Sequence, residues 1–306
     1  MTEDLHEAAV RRGLAFITGN ARILERRLAQ VWFGGGETAD VLAVIDALCG
    51  HRNPDGGFGW ALEPDARTPE SQPLAADFAL EIAERLADTR VGGLPPVADR
   101  LTALAQGVAD HLAAHVTPSG GLPIVLPSVA RYPRAAHWGD GDFPPGLNPT
   151  AGILARLRRL GADAGWFESA ERFCVEGIDR LAADDGLDGH TAGNILRFLA
   201  DHPDTAWAGR IRAALVERWP EMPYFQLRPG DDYGVTPLDL APEAGHPDRA
   251  LFPEDAVTAH LRRLLDTQQD DGGWPLTWTP PHGASVLEWR GVVTLRAIRV
   301  LGTNPG

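Results

Sequence analysis

The sequence predicts an all-α chain. Three observations carry that expectation. Apolar residues recur at i, i+3, i+4 along most of the 306 residues. Glycine and proline collect between those periodic segments, where they act as stops and turns. No convincing alternating strand longer than a few residues interrupts them. Hydrophobic residues make up 44% and charged residues 23%, a composition able to bury a core and unlike that of a disordered chain.

Taken in order, the periodic segments are 9–16, 22–32, 38–48, 74–86, 97–116, 151–160, 166–181, 192–199, 206–216, 256–265 and 286–301. Each has an apolar stripe. Leu24, Leu28, Val31 and Trp32 form the second, and Val41, Val44, Ile45 and Leu48 the third. Leu101, Leu104, Val108 and Leu112 mark the fifth, and Val293, Ala297, Val300 and Leu301 the last. That gives about eleven helices. One more has room near the termini or in a loop.

Composition excludes several functions. No lysine is found among the 28 basic residues, so a Schiff-base, P-loop or kinase-type lysine is ruled out. A net charge of −14 and a pI near 5.1 make the chain a poor binder of nucleic acid or polyphosphate. Cys49 and Cys174 each sit in an apolar helical pattern and read as buried free thiols, not as a disulfide. The first residues are acidic and polar without a signal-peptide core, and no apolar run approaches the roughly 20 residues that span a bilayer. The expectation is a soluble, cytoplasmic protein.

The loops hold a repeated pattern. Asn53-Pro-Asp-Gly-Gly-Phe-Gly-Trp60 follows one helix, and Gln269-Asp-Asp-Gly-Gly-Trp-Pro-Leu276 follows another. Thr117-Pro-Ser-Gly-Gly-Leu-Pro-Ile124 is a third copy, and Ala183-Asp-Asp-Gly-Leu-Asp-Gly189 a degenerate fourth. Each copy leads through an extended loop into the next helix, so each helix pair is expected to bury its face against neighbours. The first glycine is expected to take the left-handed conformation that ends a helix, and the second to admit a close backbone. The aromatic then plugs the gap between helices. Asp55, Asp271, Phe58 and Trp274 accordingly read as staples of the repeat.

Leu264-Leu-Asp-Thr-Gln-Gln-Asp-Asp-Gly-Gly-Trp274 resembles the Gln-Trp repeat of squalene-hopene and oxidosqualene cyclases. Leu48-Cys-Gly-His-Arg-Asn-Pro-Asp-Gly-Gly-Phe58 is similar to a variant without the glutamine. The same repeat recurs in the β domains of class II terpene cyclases and in protein prenyltransferase β subunits. The resemblance implies an (α/α)6 toroid of about twelve helices: an inner ring, an outer ring and a cavity at one end. The length has room for one such barrel, so residues 1–306 are expected to form a single domain, with irregular insertions near 131–147 and 225–253.

The resemblance also implies a chemistry. Class II cyclases protonate an alkene or epoxide with an aspartic acid held protonated by burial, and guard the carbocation with aromatic faces. The family's Asp-x-Asp-Asp motif has its nearest match in Asp140-Gly-Asp142-Phe143, which puts Asp142 forward as donor with Asp140 beside it. The fourth position departs as Phe143, and the segment before the next helix, Gly146-Leu-Asn-Pro-Thr-Ala151, has no carboxylate. The other reading of that turn is a solvated, glycine-rich loop.

Further acids come from the irregular loops. Trp60-Ala-Leu-Glu-Pro-Asp65 places Glu63 and Asp65 beside a tryptophan, with Arg67 close by. Arg228-Pro-Gly-Asp-Asp-Tyr-Gly-Val-Thr-Pro-Leu-Asp239 supplies Asp232 and Tyr233. Long ordered loops on a helical scaffold are where sites tend to sit. The candidate catalytic residues are therefore Asp142, Asp140, Asp232, Asp65 and Glu63. The candidate substrate-binding residues are Trp60, His137, Trp138, Tyr233, Trp278, Trp289 and Arg67. The bland alternative is that Glu63, Asp65 and Asp239 cap helices or pair with Arg67, Arg131 and Arg134.

No metal or cofactor is expected. Asp184-Asp-Gly-Leu-Asp188 has the letters of a magnesium-binding acidic motif but sits in a repeat loop. His111 and His115 share the i, i+4 spacing of a ligand pair without a visible third ligand, which reads as a surface pair. Cys174 has no aspartate two residues before it, so the prenyltransferase zinc site is missing.

Three functions follow. The first is acid-initiated cyclisation or isomerisation of an isoprenoid or polyene, with a hydrophobic small molecule as partner. It expects a buried carboxyl, aromatic walls and no charge cluster opposite. The second is carbohydrate processing by paired carboxylates on the same kind of barrel. The third is a non-catalytic module for a hydrophobic ligand or a protein. Oligomeric state is left open.

Overall fold

A computed structural model describes residues 2–181 and 187–304, and all statements below concern those residues. The helices are α1 (Thr2–Asn20), α2 (Ile23–Phe33), α3 (Thr38–Cys49), α4 (Pro73–Ala87), α5 (Pro95–Leu112) and α6 (Leu147–Arg159). They continue as α7 (Phe167–Leu181), α8 (Gly189–Ala200), α9 (Thr205–Arg218), α10 (Pro237–Leu240), α11 (Glu254–Thr267) and α12 (Gly283–Thr303). All eleven expected helices are present. The twelfth is α10, a single turn inside the 225–253 segment, too short to show a hydrophobic period. No strand forms among the described residues, only isolated bridges such as Arg52 with Phe58 and Leu122 with Gly146.

The helices alternate between two rings. The even-numbered helices form the inner ring, where α12 packs on α2, α4 on α6 and α6 on α8. The odd-numbered helices form the outer ring, where α3 packs on α5. Contacts of α1 with α11 and α12 close the circle. The chain is thus an (α/α)6 toroid, as the resemblance implied. Four connections from an outer to an inner helix are long: 50–72, 113–146, 219–236 and 268–282. They build the mouth.

Three glycine turns lock the outer ring. Gly56, Gly120 and Gly272 all have positive φ, at 88°, 95° and 87°. In each turn the same two backbone bonds recur. Gly56 N–H donates to the Asn53 carbonyl and Asn53 N–H to that of Gly57; Thr117 with Gly120 and Gly121, and Gln269 with Gly272 and Gly273, repeat this. Each first glycine abuts the next outer helix. A Cβ there would lie 2.5 Å from the Gly107 carbonyl oxygen on α5, 2.2 Å from that of Ser169 on α7, and 2.4 Å from that of Arg12 on α1. The first glycine takes the expected left-handed conformation but, contrary to the expectation from sequence, does not end a helix. It serves both needs at once, left-handed backbone and close approach, in a turn several residues beyond the helix.

The plugs behave as staples. Phe58, Leu122 and Trp274 are buried, and the Trp274 indole N–H donates to the Leu264 carbonyl. Asp55 accepts from Gly57 N–H and the Ser71 hydroxyl. Asp271 accepts from Gly273 N–H and takes both guanidinium nitrogens of Arg290.

One helix end was misplaced. Segment 97–116 stops at Leu112, so His115 lies beyond the helix. Its ring still lies 4.9 Å from that of His111, whose Nδ1 is 3.3 Å from Asp55. No group of three or more metal-ligating side chains forms among the described residues, and the Asp184–Asp185 part of the acidic motif lies outside them. Cys174 is buried and Cys49 half-buried, both as free thiols. No helix is long and apolar enough to cross a membrane among the described residues.

Candidate active site

An open cavity of about 2500 Å³ lies within the ring and its mouth loops. Ordinary small-molecule clefts measure roughly 300–1,000 Å³. The cavity has two zones, one acidic and aromatic at the mouth, the other ionic on the inner helices.

Glu63 and Asp65 lie on the cavity wall in the 50–72 connection. Trp60 and Ala61, just before them, hold positive φ of 52° and 54°, a conformation costly for non-glycine residues. The turn persists because its neighbours pin it. Arg22, at the start of α2, donates to the carbonyls of Ala61 and Leu62, 3.0 Å each. The buried Ser285 hydroxyl of α12 donates to the Pro64 carbonyl at 2.7 Å. Ala135 N–H donates to the Asp65 carbonyl, and Arg67 N–H to that of Pro133. Three separate segments thus hold one turn.

Neither carboxyl has an arginine partner. Arg67 pairs with Glu288 and Arg131 with Glu70, while Arg134 donates to backbone carbonyls. Burial, and then the Asp65 charge, push the Glu63 carboxyl up to about 8, so it holds a proton at neutral pH. Burial also raises Asp65 above the usual carboxylate range. Trp289, His137, Trp278 and His282 partly offset this. The two indoles lie close enough to favour the anion, yet Asp65 Oδ1 and Trp289 Nε1 each lack a hydrogen bond of ordinary geometry.

A row of rings runs from this acid pair along the wall. Phe78 meets Trp289 edge-on at 6.4 Å, Trp289 meets Trp278 at 5.2 Å, and Trp278 meets Tyr233 at 5.5 Å. Tyr233 then stacks on His190 at 5.7 Å and 24°, with its hydroxyl 2.9 Å from His190 Nε2. His137 packs edge-on against Trp138 at 4.3 Å, and Trp138 against Phe143. Ring faces of this kind stabilise positive charge without supplying a nucleophile.

The remaining predicted residues lie at the rim of the cavity or outside it. Asp140 and Asp142 are exposed and outside the cavity lining; Asp140 accepts the Asp142 N–H at 3.1 Å in a glycine-rich turn. Asp232 is exposed at the rim. Trp60 is 56% exposed, outside the lining, and its indole donates to Asn53. Arg67 is also outside the lining. Asp239 caps α10 through a reciprocal bond with Thr236. Local sequence placed all of these near acids or rings, but only the packing of loops decides which face inward.

The ionic zone was not foreseen, and it departs from the uncharged opposite wall expected of a cyclase-like cavity. Arg156 of α6 pairs with Asp77 and Glu84 of α4, and Arg197 of α8 also reaches Glu84. Glu81 takes Arg85 and Arg296. Burial raises Asp77 despite Arg156. Burial also pushes Glu81 up, but Arg85, Arg296, Arg156 and Arg197 outweigh it and hold Glu81 below the carboxylate range. Burial lowers Arg85 to about 10 against the pull of Glu81. A signal was available: Asp77, Glu81 and Glu84 recur at i, i+4, i+7 and so form one acidic face of α4, opposite the buried stripe of Ala79, Ala83 and Leu86. His190 was missed because a lone histidine in a helical first turn carries no motif.

Neither a family model nor a curated protein sequence matches the chain. Among solved structures, it is similar to a variant of the type II terpene cyclase MstE from Scytonema in complex with its substrate, geranylgeranyl dihydroxybenzoate. The identity is 12% and the TM-score 0.47, over 99% of each chain.

Proposed function

We propose that the protein is a terpene-cyclase-like enzyme, one that starts cyclisation or isomerisation of an uncharged isoprenoid or polyene by protonating it. The observation that carries this reading is Glu63, a carboxyl on the cavity wall whose burial and Asp65 neighbour outweigh the pull of the Arg22 charge, so that it keeps its proton at neutral pH. Glu63 and Asp65 form the acid. The O–H bond of the carboxyl breaks as a new C–H bond forms at an alkene carbon. Trp289, Trp278 and Phe78 face the resulting cation.

The arginines support an uncharged substrate. Each arginine lining the cavity is already ion-paired, for example Arg156 with Asp77, Arg296 with Glu81 and Arg299 with Glu243. None is left over for a diphosphate. Paired-carboxylate sugar chemistry needs acids on opposite sides of a bond. Glu63 and Asp65 instead share one turn.

The test is consumption of squalene, geranylgeraniol and farnesol by the purified protein, followed by gas chromatography. Wild type is expected to convert at least one, and Glu63→Gln to lower the rate at least about 100-fold, the low end for loss of a general acid. Lack of conversion by the wild type, or an unimpaired Glu63→Gln, would overturn the reading.

A further inference from the structure

We propose that the slack ion pair between Arg296 and Glu81 is a subsite for a neutral hydroxyl group, which makes the ligand of the cavity an isoprenoid alcohol and not a plain hydrocarbon. The inference rests on the acid-initiated reading above for what happens to that alcohol.

The two side chains come from opposite ends of the chain. Arg296 stands on α12 and Glu81 on α4, and both line the cavity. Their side chains are 38% and 22% exposed, so solvent and ligand can reach them. The other pairs beside them are closed. Arg85 meets Glu81 Oε1 at 2.5 Å, and Arg156 hydrogen-bonds Asp77 Oδ1. Arg296 stays 3.5 Å from the same Glu81 oxygen and makes no hydrogen bond among the described residues. A guanidinium carries several N–H donors in a fixed fork, and here they are left for whatever enters the cavity.

The subsite shares one space with the rings and the acid. Arg296 lies two turns beyond Trp289 on α12, roughly 10 Å by helix rise. Phe78, which meets Trp289 edge-on, lies one turn before Glu81 on α4. The charges of Arg296, Asp65 and Glu63 all act on the Tyr233 phenol, which closes the row of rings. A chain anchored between Arg296 and Glu81 therefore runs along Trp289 and Phe78 toward Glu63.

The chemistry of the pair selects the anchor. The surrounding arginines keep Glu81 ionised, so it can only accept, and Arg296 can only donate. A hydroxyl does both at once: its oxygen accepts from Arg296 and its proton goes to Glu81. A carboxylate brings no donor for Glu81 and sets like charges in contact. An ammonium brings no acceptor for Arg296. A hydrocarbon displaces water from both charges and returns no hydrogen bond.

The experiment measures binding of farnesol, β-farnesene, farnesylamine and farnesoic acid to Glu63→Gln at pH 7, by quenching of tryptophan fluorescence. This variant lacks the acid and so holds its ligand unreacted. Farnesol is expected to bind at least about tenfold tighter than β-farnesene, although the hydrocarbon is the more hydrophobic, and tighter than either charged analogue. Adding Arg296→Met should weaken farnesol at least about fivefold and leave β-farnesene within about twofold. Glu81 keeps Arg85 in that variant, so the fold should stand, as circular dichroism checks. Farnesol no tighter than β-farnesene, a charged analogue tighter than farnesol, equal losses for both ligands in Arg296→Met, or no binding of any of the four overturns the subsite. Conversion of squalene by wild type alongside any of these leaves the acid reading standing. Selective farnesol binding, with wild type converting none of squalene, geranylgeraniol and farnesol, overturns the acid reading and leaves the subsite standing.

Discussion

Glu63 Oε2 accepts the backbone N–H of Asp65 at 3.0 Å, which sets two buried carboxyls on one turn facing one cavity. The bond favours the Glu63 anion, but burial and the neighbouring Asp65 outweigh it. The acid is thus a property of a pinned loop, and its proton has consequences beyond catalysis.

Stability should depend on pH through this group. Glu63 ionises at about 8 in the folded chain, against an ordinary value of 4.5. Between those values the folded chain holds a proton that the unfolded chain has released. The contribution is complete below 4.5 and is lost as pH rises through about 8. The slope in that window is on the order of 1 kcal/mol per pH unit. Glu63→Gln should flatten this part of the profile, read by denaturant unfolding from pH 5 to pH 9. Parallel profiles for variant and wild type would contradict the assignment.

The acids should separate by position. Asp65→Asn is expected to lower turnover at least about 100-fold, because it removes half of the buried pair. Asp140→Asn and Asp142→Asn should each stay within about twofold, since both are exposed and outside the cavity lining. Initial rates on whichever polyene wild type converts decide it. A large loss at Asp142 would return the donor role to the glycine-rich turn.

The glycine turns should be intolerant of a methyl group. Gly56→Ala and Gly272→Ala combine a positive φ with a Cβ inside contact distance of a neighbouring helix carbonyl. Each should cost about 1–3 kcal/mol. Gly209→Ala, exposed within α9 with nothing near its Cβ, should gain roughly 0.5–1 kcal/mol. Urea midpoints of the three variants, compared side by side, test whether the turns clamp the ring.

The inner ionic zone should be costly to break by halves. Arg156→Met leaves Asp77 and Glu84 buried without their shared guanidinium and should destabilise by about 3–5 kcal/mol. Exposed Arg11→Met, whose partner Glu7 is also exposed, should change stability by at most about 1 kcal/mol. Equal effects would mean that the inner network is solvated.

Much of the fold was legible in the letters because helices and tight turns are local. Val41, Val44, Ile45 and Leu48 show their face within one segment, and the Gly56, Gly120 and Gly272 turns repeat one conformation. The site was legible only in part. Glu63, Asp65, Asp232, Trp278, Trp289, Tyr233, His137 and Trp138 do line the cavity, whereas Asp140, Asp142, Trp60 and Arg67 do not. In a loop, residue type says what a side chain can do, but not which way it points.

The sequence by itself determined the helical periodicity, the glycine stops and the supply of acids and rings. Those depend on neighbours within a few residues. Only the tertiary structure decided that Arg22, Ser285 and Ala135 would bury one acidic turn, and that His190 would meet Tyr233 across 43 residues. Proton affinity depends on what surrounds a group in space, and ring closure brings those surroundings from opposite ends of the chain.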